Sequence, residues 1–390
     1  MNKKVTVLLG IAIYLISTGV SYSFFTSGVL PVGPSSDSSK PKIINTGNDY
    51  EALEFDQNKP KTEECPLNGV KYSKDQKKWW EKHRPLGVMI ENHSEARPQS
   101  GIYFADVVYE VVAEGGITRT LSVFYCQDAG IVGPVRSART YFLDFISEYG
   151  DHPLYAHVGG ANTPGPANAL GQISEYGWAQ YNDLNQFSIG FPTFRRDETR
   201  LGHEVATEHT MYSTTSRLWD EAKDRGLTEK DKKGKKWDDN FVSYSFKDDE
   251  PETKRPEAQS VQVDFWDGPA YSVEWKYDKA TNAYLRNNGG EPHMDRNTKK
   301  QLSAKNIIVL FMRESRANDG YEGNLHMLYG TKGSGKAAIF MDGKQIKGTW
   351  KKKDREARMI IYDNTGDEIK FNRGQIWFEV QPPDGVVTVK

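Results

Sequence analysis

Asp106-Val-Val-Tyr-Glu-Val-Val-Ala-Glu-Gly-Gly-Ile-Thr-Arg-Thr-Leu-Ser-Val-Phe-Tyr125 is the stretch that decides the fold class. β-Branched and aromatic residues crowd both sides of Glu114-Gly115-Gly116. The stretch therefore reads as two strands, 106–113 and 117–125, joined by a tight turn. In the second strand Ile117, Leu121, Val123 and Tyr125 alternate onto one face. A short buried strand over 86–90 precedes the pair. Downstream, 137–149 reads as a helix: Tyr141, Phe142, Phe145, Ile146 and Tyr149 form one apolar stripe, and Gly150 sits where a C-terminal glycine belongs. Residues 154–158 form another strand that runs into Gly159-Gly160. Further helices are expected near 166–176 and 214–225, the latter closed by Gly226.

The tract 227–240 is a charged surface loop and the best internal boundary. Beyond it the texture changes to short strands, expected at 260–265, 272–277, 306–312, 337–341 and 376–380. Turn signals such as Asn287-Asn-Gly-Gly290 and Asp342-Gly343 separate them. The expected architecture is α+β. A mixed α/β N-terminal lobe covers 79–226, a charged linker 227–258, and a mostly β C-terminal lobe 259–390.

The 390 residues hold 51 Lys+Arg against 53 Asp+Glu, a net charge of −2, which argues against a general nucleic-acid binder. Residues 1–30 read as a membrane anchor or signal segment. Lys3 and Lys4 precede an uncharged run, and 5–25 is long enough for one spanning helix. The lysines place the N-terminus inside and the bulk of the chain on the extracytoplasmic side of the cell membrane. A cleaved signal peptide is the alternative, although no small-x-small cleavage site follows. Residues 31–78 read as a flexible tether rich in Pro and Ser. In an oxidising space Cys65 and Cys126 could pair; the alternative is Cys126 as a small buried hydrophobe.

Gly133-Pro-Val-Arg-Ser-Ala-Arg139 sets Arg136 and Arg139 three apart at the expected helix start. First-turn N–H groups and two guanidinium forks would make an anion site there. The alternative is internal pairing with Glu110, Glu114 or Asp144. His157 lies at a strand end beside Gly159-Gly160, where a ligand can approach the backbone, or it is a structural histidine. Arg195-Arg196-Asp197 and His209 fall in a long irregular stretch. His203 and His209 stand six apart, which is not zincin spacing, and Gly330–Ala337 lacks the hydroxyl and helix of a phosphate loop. A zinc site drawn from His157, His203 and His209 stays open, but no metal and no cofactor is expected.

Arg84-Pro-Leu-Gly-Val-Met-Ile-Glu-Asn92, Ala96-Arg-Pro-Gln-Ser-Gly101, Ala105-Asp106, Glu114-Gly-Gly-Ile-Thr-Arg119 and the 133–139 block together resemble the YerB-like bacterial lipoprotein family. The resemblance implies a two-domain extracytoplasmic protein and brings no assigned reaction. This chain departs from the family in lacking a cysteine for lipid after its N-terminal segment, and in reading His209-Thr210 where the family has His-Asn. With Asn92, Arg97 and Arg119 of the shared blocks, Gly159, Gly160, Arg196 and Asp197 join Arg136 and Arg139 as the expected ligand-binding set. Three functions compete. The first is a binding protein for an anionic cell-envelope component. The second is a cell-wall polymer hydrolase or transferase pairing Glu110 or Glu114 with His157 or His209. The third is a scaffold for an envelope protein.

Overall fold

A computed structural model describes residues 42–45, 51–266, 268–323 and 325–390; the expected membrane segment over 5–25 lies outside them. Among the described residues no helix is long and apolar enough to cross a membrane. The fold is mixed α/β, and its strand content of 37% against 16% helix makes sheets the organising elements.

The strands of the two main sheets, labelled in chain order, begin with β1 (Leu86–Glu91), β2 (Val107–Glu114), β3 (Ile117–Phe124), β4 (Leu154–His157) and β5 (Asp183–Asn185). Then come β6 (Ser260–Asp264), β7 (Ser272–Asp278) and β8 (Ala283–Asn288). The last are β9 (Asn306–Phe311), β10 (Gly333–Met341), β11 (Lys344–Lys352), β12 (Ile360–Asp363), β13 (Ile376–Gln381) and β14 (Val387–Val389). The helices among the described residues include α1 (Lys74–Trp80), α2 (Thr140–Ile146), α3 (Ala169–Glu175), α4 (Gln186–Ile189) and α5 (Thr215–Asp224).

One ten-stranded sheet runs β5-β4-β1-β3-β2-β13-β9-β10-β11-β12. Its centre is the seam where β2 pairs in parallel with β13, register Val107↔Ile376 to Glu110↔Glu379. The two lobes expected from the sequence texture are thus joined edge to edge. Strands β8-β7-β6-β14 belong to a second, antiparallel sheet that covers one face of the first. Val261, Val273 and Trp275 of that sheet, with Leu218 and Trp219 of α5, pack on Val88, Ile90 and Val108. The opposite face carries α2, whose Tyr141, Phe142, Phe145 and Ile146 pack on Met89, Tyr109 and Leu121. Both faces being covered explains why β1 reads as a continuous apolar run.

Helix α2 is shorter than the periodicity predicts. Residues 133–138 are extended instead, because their backbone is taken up by neighbours: Glu91 N donates to Pro134 O at 2.9 Å, Arg136 N to Met89 O at 2.9 Å, and Ala138 N to Gly159 O at 2.9 Å. Arg139 is the N-cap of α2, with φ −136° and no side-chain capping bond. Gly150 closes the helix region at φ 86°, where an added Cβ would lie 2.2 Å from Trp237 O. Trp237 itself is buried, as is Tyr244, so the charged segment 227–258 contributes to the core.

The expected tether over 31–78 is folded in its last part. Strands Lys61–Glu64 and Lys71–Ser73 pair, α1 follows, and Cys65 is bonded to Cys126. Buried Leu67 and Trp80 give this segment an apolar anchor that its Pro/Ser-rich beginning lacks. Beside the disulfide, Asp106 receives Tyr125 N at 2.7 Å, Cys126 N at 3.0 Å and Asn68 Nδ2 at 2.6 Å. Burial nevertheless pushes its carboxyl up to about 7. Lys336 and Ala337 of the phosphate-loop lookalike lie inside β10, in register with Thr349 and Gly348.

Candidate functional site

Strands β1, β4 and β5 are mutually parallel, and their carboxyl ends bring Glu91, His157 and Asn185 to one edge of the sheet. In open α/β sheets that edge is where ligand groups collect. The extended 133–138 segment lies across it: Arg136 N bonds to β1 at Met89 O, and Val158 N donates back to Arg136 O at 3.0 Å. That lacing holds Arg136 over the end of β1, where its Nε stands 3.3 Å from Glu91 Oε1.

The other Glu91 oxygen, Oε2, accepts from His209 Nδ1 at 2.8 Å. That hydrogen bond raises the pKa of His209 above its usual value. His209 ends a 3-10 turn, Thr207–His209, and the turn's carbonyls hold two arginines. Arg136 Nη1 donates to Glu208 O at 3.3 Å; Arg196 Nη1 donates to Thr207 O, and to Thr210 Oγ1 at 3.2 Å. Arg196 is exposed, the Arg136 side chain is 23% exposed, and Arg139 only 6%. Asp197 accepts from Thr199 N at 3.2 Å and thereby fixes the adjoining turn.

Arg119 and Arg139 share a carboxylate. Arg119 Nη2 stands 3.4 Å from Glu114 Oε1, and Arg139 Nη2 pairs with the same oxygen. Internal pairing, the alternative weighed for the arginine block, therefore describes Arg139. Arg136 pairs with Glu91, a partner the sequence reading did not include. Arg139 caps α2 with its fork turned to Glu114, and Arg136 stands ahead of the helix beside Glu91, so the two do not face the first turn together as the expected helix-N-terminal anion site requires. Burial pulls the pKa of Arg119, Arg136 and Arg139 below the usual value, and guanidinium stays charged all the same.

Glu110, Asn92 and Arg97 belong elsewhere, to a polar network sealed between the two sheets. Glu110 Oε2 takes Arg286 Nη2 at 2.6 Å, and its Oε1 takes Asn92 Nδ2 at 3.0 Å and Thr118 Oγ1 at 2.7 Å. Arg286 Nη1 bonds to Glu379 Oε1 at 3.0 Å, and its guanidinium lies 4.5 Å from the Trp377 ring centre. Arg97 Nε donates to Asn92 Oδ1 at 3.1 Å. Buried His293 accepts from Arg286 Nε at Nδ1, so its Nε2–H donates to Gln99 Oε1 at 2.7 Å. Glu110 and Arg286 have no exposed surface, so this network holds the fold together and Glu110 cannot reach a substrate as acid or base.

His157 is also sealed. Its Nδ1 donates to Gly159 O at 2.6 Å and its Nε2 faces Asp183 Oδ1 at 2.5 Å, which ties β4 to β5. An added Cβ on Gly160 would meet Leu170 at 3.0 Å and Ala138 at 3.1 Å, so side chains fill the space a ligand would need. Of the expected site residues, Arg136, Arg196, Asp197 and His209 gather at the open edge, with Arg119, Arg139 and Glu114 behind them. Glu91, His93 and Glu95 were missed. The signal was available: Glu91-Asn-His-Ser-Glu95 follows a buried strand directly, where charged groups seldom stand idle.

The fold and its interlocked halves define a two-domain α/β protein. The "Protein of unknown function (DUF3048) N-terminal domain" matches residues 69–228, and the corresponding C-terminal domain matches 261–378. The chain belongs to this family. It is 30% identical over 319 residues to "Putative lipoprotein YerB" of Bacillus subtilis (strain 168), covering 82% of this chain and 86% of that protein. A crystal structure of the YerB protein from Bacillus subtilis superposes with a TM-score of 0.68 at 25% identity, over 84% of this chain and all of the other.

Proposed function

We propose that this is a membrane-tethered extracytoplasmic protein that binds an anionic group of the cell envelope, a phosphate or a carboxylate, at the open edge of β1 and β4. The observation that carries this reading is the convergence of Arg136 and Arg196, from separate segments, on carbonyls of the single turn Thr207–His209. Carbonyl oxygens orient a guanidinium without neutralising it, as at Arg196, whereas Arg136 also shares its charge with Glu91 through Nε. Each fork keeps further N–H donors for a bidentate oxyanion. Tethering follows from the uncharged 5–25 run, and the lipoprotein designation of the Bacillus subtilis relative fits it.

Residues 41–390 form one compact unit, which suits a soluble fragment. Wild-type fragment is expected to pellet with isolated cell walls, and the Arg136→Gln/Arg196→Gln variant to lose at least about tenfold in affinity, each lost fork bond being worth roughly 1.5–3 kcal/mol. Equal pelleting of the two contradicts the reading. A hydrolase or transferase reading keeps one favourable observation, the Glu91–His209 hydrogen bond. Altered muropeptides that vanish with His209→Gln would favour it.

A further inference from the structure

We propose that His93, Glu95 and His209 form a binding site for a divalent metal ion of the zinc class, oriented by Glu91. This stands independently of the anion reading. Each residue offers one ligand atom, and those atoms all lie within 4.8 Å of one another. Two imidazoles and a carboxylate are the ligand set that selects zinc-like ions over calcium or magnesium.

The details suit a metal better than an internal ion pair. Glu91 Oε2 takes the Nδ1–H of His209, which fixes the tautomer and leaves the Nε2 lone pair unspent. A carboxylate behind the distal nitrogen is the usual support of a metal-binding histidine. His209 Nε2 then stands 3.8 Å from Glu95 Oε2. That is too long for a hydrogen bond, yet close to the ~3.3 Å between neighbouring ligand atoms around tetrahedral zinc. The third ligand, His93, stacks on His209 with ring centres 4.8 Å apart and planes 16° from parallel.

Stacked rings do not aim at one point, so binding requires His93 to turn out of the stack. Its surroundings allow this. The ring is half-buried and accepts a long 3.3 Å hydrogen bond from Glu95 N. The Glu95 side chain is 60% exposed, so it has solvent-side room to turn inward. Three protein ligands leave a fourth position for water or an anionic group, the open arrangement of a working site. The spacing of His157, His203 and His209 left a zinc site open there. Of these only His209 takes part, because His157 is spent on Gly159 and Asp183.

The test is zinc titration of the full-length chain, purified in detergent without a polyhistidine tag, followed by X-ray absorption of the complex. One zinc ion per chain is expected, with imidazole nitrogen and carboxylate oxygen in its shell. His93→Ala, at a half-buried position, is expected to weaken binding by more than 100-fold, with the urea-unfolding midpoint checked to separate lost ligation from the lost cap on the 94–96 turn. Glu91→Gln is expected to weaken it by about 10–100-fold. Failure of the wild type to take up zinc at micromolar concentration overturns the proposal. So does His93→Ala binding as tightly as wild type, which would put the ion elsewhere.

Discussion

Glu110 and Glu379 lie side by side across the β2–β13 seam and are served differently. Every oxygen of Glu110 accepts from a cation or a hydroxyl or amide donor, whereas Glu379 uses Oε1 for Arg286 and Trp275 while Oε2 has no hydrogen-bond partner. Burial, reinforced by the Glu110 charge, pushes the Glu379 carboxyl well above its ordinary range. Glu110→Gln is therefore expected to cost about 3–5 kcal/mol in urea unfolding, since it leaves Arg286 short of a buried counter-charge. Glu379→Gln keeps the Oε1 acceptor and is expected to cost under about 1 kcal/mol near neutral pH. The raised Glu379 carboxyl contributes stability that is full below about 4.3 and lost as pH rises through its folded value. The Gln variant should flatten that loss; an unchanged pH profile would contradict the assignment. His209 titrates with the same sign. Its pairing with Glu91 stabilises fully below about pH 6.5 and fades as pH passes the raised folded value. In an NMR titration Glu91→Gln should lower the His209 midpoint, and a midpoint that stays put would show that Glu91 is not the cause.

At the scale of elements, the strands around Glu114-Gly115-Gly116 were legible because both carry β-branched and aromatic residues and a tight turn separates them. The apolar stripe of α2 was legible too, but its start was not. Nothing in residues 133–138 announces that their N–H groups are claimed by Met89, Gly159 and Met211 and their C=O groups by Glu91 and Val158. Tertiary hydrogen bonding overrode local periodicity there, and the helix-start premise fell with it for Arg136 but not for Arg139, which caps α2. The open pairing of Cys65 with Cys126 is resolved as a disulfide that closes 61 residues. Loop-closure arithmetic gives such a bridge about 4 kcal/mol. The Cys65→Ser/Cys126→Ser variant is expected to lose up to that amount in chemical denaturation. No loss at all would mean that buried Leu67 and Trp80 hold the segment unaided.

For the whole molecule, the sequence showed two textures but not the joint between them. A parallel strand pair brought together from residues 107–110 and 376–379 leaves no local mark, and Arg286 carries no sign that it will reach Glu110. The joint makes the halves interdependent. Residues 41–228 and 259–390, produced separately, are each expected to be insoluble or to lack a cooperative melt, because each exposes an unpaired seam and a stranded charge. A half that melts cooperatively alone would refute this. The same joint gives the edge of β1 and β4 a rigid base, so Arg136 and Arg196 are held in place before any ligand arrives. The most direct test of that claim is an arginine side-chain NMR titration of the 41–390 unit with inorganic phosphate and with a glycerol-phosphate polymer. The Arg136 and Arg196 Nε–H signals are expected to shift together and saturate, while sealed Arg286 stays still. Shifts spread over unrelated surface arginines, or none at all, would contradict it.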